Sequence, residues 1–213
     1  MIRSLFAAVL LLAPLSFAHA DPFTSNAIEW LDEPEKPLHW GEWDRVALIT
    51  LDAQEAGAGN QHPVRLQAQD IARRLALVRV ERGQEALQAL TGDEIGRLAP
   101  VVAAALTQAR SDQDLLFLTS GNRRLFGARE ANAGRIFFSE GQLNVIFGTV
   151  LSDILTSFKS SDRRSPPVEY GSRNHPPRGV MLATPRPNEG TLVRDNWIRF
   201  AIPFTPIAAP ARP

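Results

Sequence analysis

Arginine is the residue type through which this chain is best equipped to do chemistry. Of its 23 basic residues only Lys36 and Lys159 are lysines. The planar guanidinium suits fixed, bidentate pairing with carboxylates and phosphates. Two groups of arginines stand out. Arg123, Arg124 and Arg129 surround Phe126 within Ser120–Gly134, a glycine-bearing stretch that reads as a long, mobile hairpin connection with an apolar tip. Arg163, Arg164, Arg173 and Arg178 fall in a run punctuated by Pro166, Pro167, Pro176 and Pro177, which reads as loop or polyproline-like chain. Together these positions predict a contact surface for an acidic protein or another anionic envelope component, with Phe126 inserting. The competing reading is a loop folded back on its own sheet.

Other chemistries find less support. After the first twenty residues the histidines are His39, His62 and His175, each isolated, with no i,i+4 or HExxH spacing. Neither a protein metal site nor a cofactor is therefore expected. There is no GxSxG elbow, and neither glycine-rich phosphate motif is present. Carboxylate pairs such as Glu33/Glu35 and Asp93/Glu94 leave a glycosidase conceivable, but Glu94 already has a capping role. Arg124 near Phe126 and Arg173 near Tyr170 resemble a phosphate-and-base contact. A formal net charge of zero and an acidic N-terminal stretch argue against nucleic acid.

Charge is unevenly spread. Asp21 to Asn60 carries nine acidic and two basic residues, whereas Thr156 to the end carries nine basic and four acidic. Either the two blocks neutralise one another, the simpler expectation, or each faces a partner of opposite sign.

Residues 1–20 stand apart from the fold. Arg3, the apolar run Leu5–Phe17 and the Ala18-His19-Ala20 site read as a secretory signal, with cleavage expected before Asp21. The expected location is the periplasm, or the extracellular space, with no membrane span after cleavage. There is no cysteine, so stability must come from packing without disulfides.

Residues 21–44 form an acidic, tryptophan- and proline-rich arm, with Trp30, Trp40 and Trp43 expected to dock on the core; the alternative is a stacking surface for sugars. Strands are predicted at 45–51, 114–119, 135–139, 142–151 and 196–204, and a further short one is possible within 77–81. Glu140-Gly141 joins two of them as a tight hairpin. In the second arm Leu143, Val145 and Phe147 share one face, while Asn144 and Ile146 share the other, which implies a sheet covered on both sides. Helices are predicted at 67–76 and 92–110. The second starts at the capping box Thr91-Gly-Asp-Glu94 and is kinked or split by Pro100. Residues 52–61 read as a plain loop.

The resulting expectation is an α+β (or α/β) domain over 45–204. It has a mainly antiparallel sheet with two helices on one face, a Pro/Arg-rich loop at 160–188, proline-rich arms at both ends and a disordered tail at 205–213. The expected function is a non-catalytic exported binding or assembly protein of the cell envelope. The alternatives are a cell-wall or polysaccharide hydrolase and a structural subunit of an envelope complex.

Overall fold

The computed structural model of the chain describes residues 36–40, 44–57, 59–123, 129–153, 168–177 and 179–207. In chain order the strands are β1 (Leu38–His39), β2 (Arg45–Thr50), β3 (Val64–Arg65), β4 (Arg79–Arg82), β5 (Glu85–Gln88), β6 (Gln113–Gly121), β7 (Glu130–Ser139), β8 (Gln142–Asp153), β9 (Thr191–Arg194), β10 (Trp197–Ala201) and β11 (Thr205–Pro206). The helices are α1 (Ala53–Ala56), α2 (Ala68–Leu75) and α3 (Gly92–Leu106). Seven strands form one sheet in the order β1-β2-β6-β7-β8-β10-β9. Every pairing in it is antiparallel. A mostly antiparallel sheet with few helices is of α+β type. Among the described residues no helix is long and apolar enough to cross a membrane.

The inner face of the sheet is apolar because alternate strand residues point the same way. Val46 and Leu48 of β2, Leu115 and Phe117 of β6, Ile136 and Phe138 of β7, and Leu143, Val145 and Phe147 of β8 join one buried cluster. Ile71 and Leu75 of α2 and Leu98, Val102 and Leu106 of α3 complete it. Ile198 and Phe200 extend it to β10, and Trp40 packs against its margin as the docking reading of the indoles expects. Trp30 and Trp43 lie outside the described residues.

Helix α3 begins at the predicted capping box: Thr91 N–H donates to Glu94 Oε2 at 2.7 Å, and Glu94 N–H donates to Thr91 Oγ at 3.3 Å. Of the two outcomes expected of Pro100, a kink or a split, the split does not occur. Pro100 and Gly96, whose carbonyl loses its partner, are both exposed, so that carbonyl faces water. On the other side Leu98, Val101, Val102 and Leu106 are fully buried and hold the helix together. The helix ends four residues before the expected boundary, at Leu106.

The β7–β8 hairpin turns at Glu140 and Gly141 as predicted, with Ser139 opposite Gln142. Both central residues take positive φ, 52° and 71°, the mark of a type I′ turn. The stretch 52–61 is not a plain loop, because Asp52 Oδ1 accepts from Gln54 N and Glu55 N and starts the single turn of α1. The connection expected over 120–134 is also shorter. Strand β6 runs on to Gly121 and β7 starts at Glu130, with Thr119 opposite Asn132 and Ser120 opposite Ala131. The small side chains of Ala131 and Ala133 pack with Leu118 against Val168 and Tyr170, which favours continued pairing.

Two short pairings complete the strands, the first on the short strand expected within 77–81. β4 and β5 form a hairpin, and β11 pairs with β3 although its residues open the expected tail. Residues 208–213, most of the 21–44 arm and 154–167 lie outside the described residues.

Candidate functional site

The outer face of the sheet carries polar and aromatic side chains beside a small apolar patch of Leu118, Ala131 and Ala133. A strap, residues 168–175, crosses part of it, and the remainder forms a groove. Gly148 lets the strap approach: a Cβ there would stand 2.1 Å from Gly171 N and 2.3 Å from Glu169 O. Gly171 supplies the positive φ, 75°, and lies against Ile146 and Phe147. Thr149 and Glu169 exchange hydrogen bonds between side chain and backbone at 3.1 and 2.9 Å. Arg45 donates twice to Tyr170 Oη, at 3.1 and 3.0 Å.

Beneath the strap lies a buried layer of charge. Asp114 of β6 is fully buried. It accepts from Asn60 Nδ2 at 2.9 Å, from Arg135 Nη1 at 3.4 Å and from Arg173 Nε at 3.2 Å, and a further bond joins it to Arg173 Nη2. Glu55, delivered by α1, accepts from Arg135 Nη1 at 2.7 Å, Ser172 Oγ at 2.5 Å and Arg173 N at 2.9 Å. Burial works to raise the Glu55 pKa, but these donors prevail and hold it below the usual carboxylate value. Arg194 donates to the carbonyls of Ser172 and Arg173 at 2.6 and 3.2 Å. Its own pKa is depressed by burial, with Asp195 opposing. Glu55 thus meets the strap through the Ser172 hydroxyl and the Arg173 backbone, while its charge partner is Arg135 and that of Arg173 is Asp114, so these pairs do not test whether the acidic and basic blocks neutralise one another.

The groove, about 460 Å³, opens beside this layer. Phe137 and Trp197 form its aromatic floor, packed edge to face with centroids 5.8 Å apart. The Arg173 guanidinium sits 3.7 Å over the Phe137 ring. Asn144 orients the indole by accepting from Trp197 Nε1 at 3.0 Å, while its own amide donates to Ser139 Oγ and Gln142 O. Ser139, Gln61, Glu140 and Arg199 line the rim. Arg199 Nη1 lies 3.4 Å from Glu140 Oε2, and Arg199 Nε is buried with no hydrogen-bond partner among the described residues.

A second polar cluster at the far end of the sheet holds two of the predicted contact arginines. Arg123 donates to Gln88 O at 2.8 Å, bonds Ala89 O, and reaches Glu94 Oε2 at 3.4 Å and Glu130 at 3.2 Å. Arg129 pairs with Asp44 Oδ2 at 3.5 Å. Burial pushes Asp44 up in pKa, opposed by the Ser120 hydroxyl and by Arg129 and Arg97. Glu94 also accepts from Thr119 Oγ and Asn132 Nδ2, at 2.8 and 2.9 Å, so one carboxylate ties α3 to β6 and β7. Arg123 and Arg129 thus each pair with a buried carboxylate, Glu94 and Asp44 respectively, with Arg129 still 40% exposed, and neither lines the groove.

Of the remaining predicted site residues, Arg173 is on the groove wall, and Arg124, Phe126, Arg163, Arg164 and Arg178 lie outside the described residues. Phe137, Asn144, Trp197 and Arg199 were read from the sequence only as strand residues; the clue was their alternation with the core positions of β7, β8 and β10. Among the described residues no group of three or more acidic or histidine side chains converges on a point suited to a metal ion. His62 is buried and structural: its Nε2 accepts from Phe138 N at 2.9 Å, and burial lowers its pKa to about 4. Compared with protein families, with curated proteins and with solved structures, the chain matches none of them.

Proposed function

We propose that this chain is a non-catalytic, exported binding protein of the cell envelope that holds an anionic ligand in the outer-face groove. The observation that carries the reading is the clamping of Arg173 over Phe137 by buried Asp114. A buried ion pair is commonly no more stabilising than apolar side chains of the same volume. A layer that buries Asp114 and Arg135 and nearly buries Glu55 and Arg173 is therefore hard to explain by stability alone. It fixes a cation and an aromatic ring in one geometry, as a preorganised site requires. The acids concerned are occupied as acceptors from arginine, asparagine and serine, an arrangement that holds side chains in place rather than moving protons.

The Trp197 indole N–H gives a direct test. Its resonance in a ¹⁵N-labelled sample, identified by its disappearance in Trp197→Phe, should shift when a solubilised envelope fraction is added. A fraction that binds while moving only resonances elsewhere, for example around Arg123 and Arg129, would show that the groove is not the site.

A further inference from the structure

We infer that the groove takes an acidic saccharide, with a sugar ring stacked on Trp197 and its carboxylate held by Arg199 in the place of Glu140. This rests on the groove being the binding site. Trp197 and Arg199 are two apart on β10, so both stand on the outer face about 7 Å apart along the strand. That separation fits a pyranose ring bearing a carboxylate at its edge. An indole flanked by Ser139, Gln61 and Asn144 offers an apolar surface rimmed by hydroxyl and carboxamide groups. This matches the C–H face of a sugar surrounded by its hydroxyls.

Glu140 supplies the second argument. It occupies the first position of a type I′ turn at a φ of 52°, where asparagine, aspartate or glycine is less strained. Its side chain is 80% exposed and stands 3.4 Å from Arg199 Nη1, long for a charge-assisted hydrogen bond. A strained residue thus places a loosely held carboxylate on the groove's rim cation. Strain of this kind gathers at ligand sites. Glu140 occupies Arg199 in the free protein and yields to a carboxylate that also gains the Trp197 surface.

Arg199 also has donor capacity to spare. Among the described residues the one hydrogen bond of its side chain is the long contact to Glu140, so its terminal nitrogens keep donors for a ligand. Arg173 differs, because Asp114 and Asn60 take its Nε and Nη2 and Asp114 neutralises its charge. Arg173 shapes the wall, and Arg199 reads the charge.

Calorimetric titration of the full chain with trigalacturonate, its methyl ester and maltotriose tests the assignment. The acid should bind. Arg199→Gln should weaken that binding about tenfold by removing the charged donor. Glu140→Gln should tighten it about threefold by removing an exposed competitor. The ester should respond to neither change. If the ester and maltotriose bind as tightly as the acid, and all depend on Trp197, the carboxylate assignment is overturned and the groove stands. If no sugar binds, yet the Trp197 indole still responds to the envelope fraction, the saccharide class is overturned and the groove again stands. If that indole responds to nothing, both readings fall. Thermal melts of each variant separate lost binding from lost folding.

Discussion

Asp114→Asn probes the buried charge layer with almost no change of volume. The carboxamide keeps one oxygen for Asn60 and the arginines, but its amino group points N–H bonds at guanidinium N–H bonds. Arg135, 8% exposed, then keeps Glu55 as its anion, whereas the Arg173 guanidinium, 12% exposed, is left with the neutral Asn60 Oδ1. Removing one partner from a buried ion pair costs about 3–5 kcal/mol, because the other charge stays buried. Domains of this kind unfold with about 5–15 kcal/mol, so the variant forfeits a large share of the total. At roughly 2–4 °C per kcal/mol for a chain of this length, the melting temperature should fall by about 6–20 °C. Urea unfolding followed by circular dichroism gives the free energy, and an unchanged slope would show that the unfolded state is unaltered. Replacing both charges, in Asp114→Leu/Arg173→Met, should recover most of the loss, since no orphaned ion remains. A loss below about 1 kcal/mol for Asp114→Asn would refute the reasoning, because it would mean that the guanidiniums are hydrated rather than buried.

Further outcomes follow from single contacts. Because the folded pKa of His62 is about 4 against an ordinary 6.5, the unfolded chain binds the extra proton between those values. Its contribution is full above pH 6.5 and is lost as pH falls toward 4, by about 3 kcal/mol. Urea titrations at several pH values should show this slope, and His62→Gln should flatten it. Gly148→Ala should lift the strap, raising amide exchange across 168–173 while leaving the α3 amides protected; unchanged exchange would mean that strap and β8 are not in close contact. Glu140→Asn should raise stability by about 1 kcal/mol by relieving the left-handed strain, measured by urea unfolding. Glu94→Ala, which leaves four donors without their acceptor, should cost more than 3 kcal/mol, whereas the exposed Arg110→Ala should cost less than 1.

What the sequence disclosed is what neighbouring residues decide among themselves. Thr91 and Glu94 announce a helix start because the capping box closes within four residues. Glu140-Gly141 announces a hairpin because a two-residue turn is a local event. The alternation of Leu143, Val145 and Phe147 marks a core-facing strand for the same reason. The second role of Glu94, as acceptor for Thr119, Asn132 and Arg123, depends on residues 25 to 38 positions away and leaves no local trace. The arginines show the same division. Arg123 and Arg129 carry the composition of a contact loop, and Arg173 sits in a similar run. Only tertiary neighbours decide that the first two brace Glu94 and Asp44 while the third walls a groove. Pro100 leaves the helix in one piece because its local cost is outweighed by a buried face that local reasoning does not weigh.

The near-contact of Gly148 with Gly171 has a consequence for how finely the groove is set. Where two segments meet through side chains, repacking can slide one past the other by fractions of an ångström. Here main chain lies directly on main chain, so the spacing between strap and sheet is fixed by atoms every residue shares. Arg173 follows two residues later, and its height above the Phe137 ring inherits that spacing. Substitutions elsewhere in the core should therefore alter how stable the molecule is well before they alter the shape it offers a ligand.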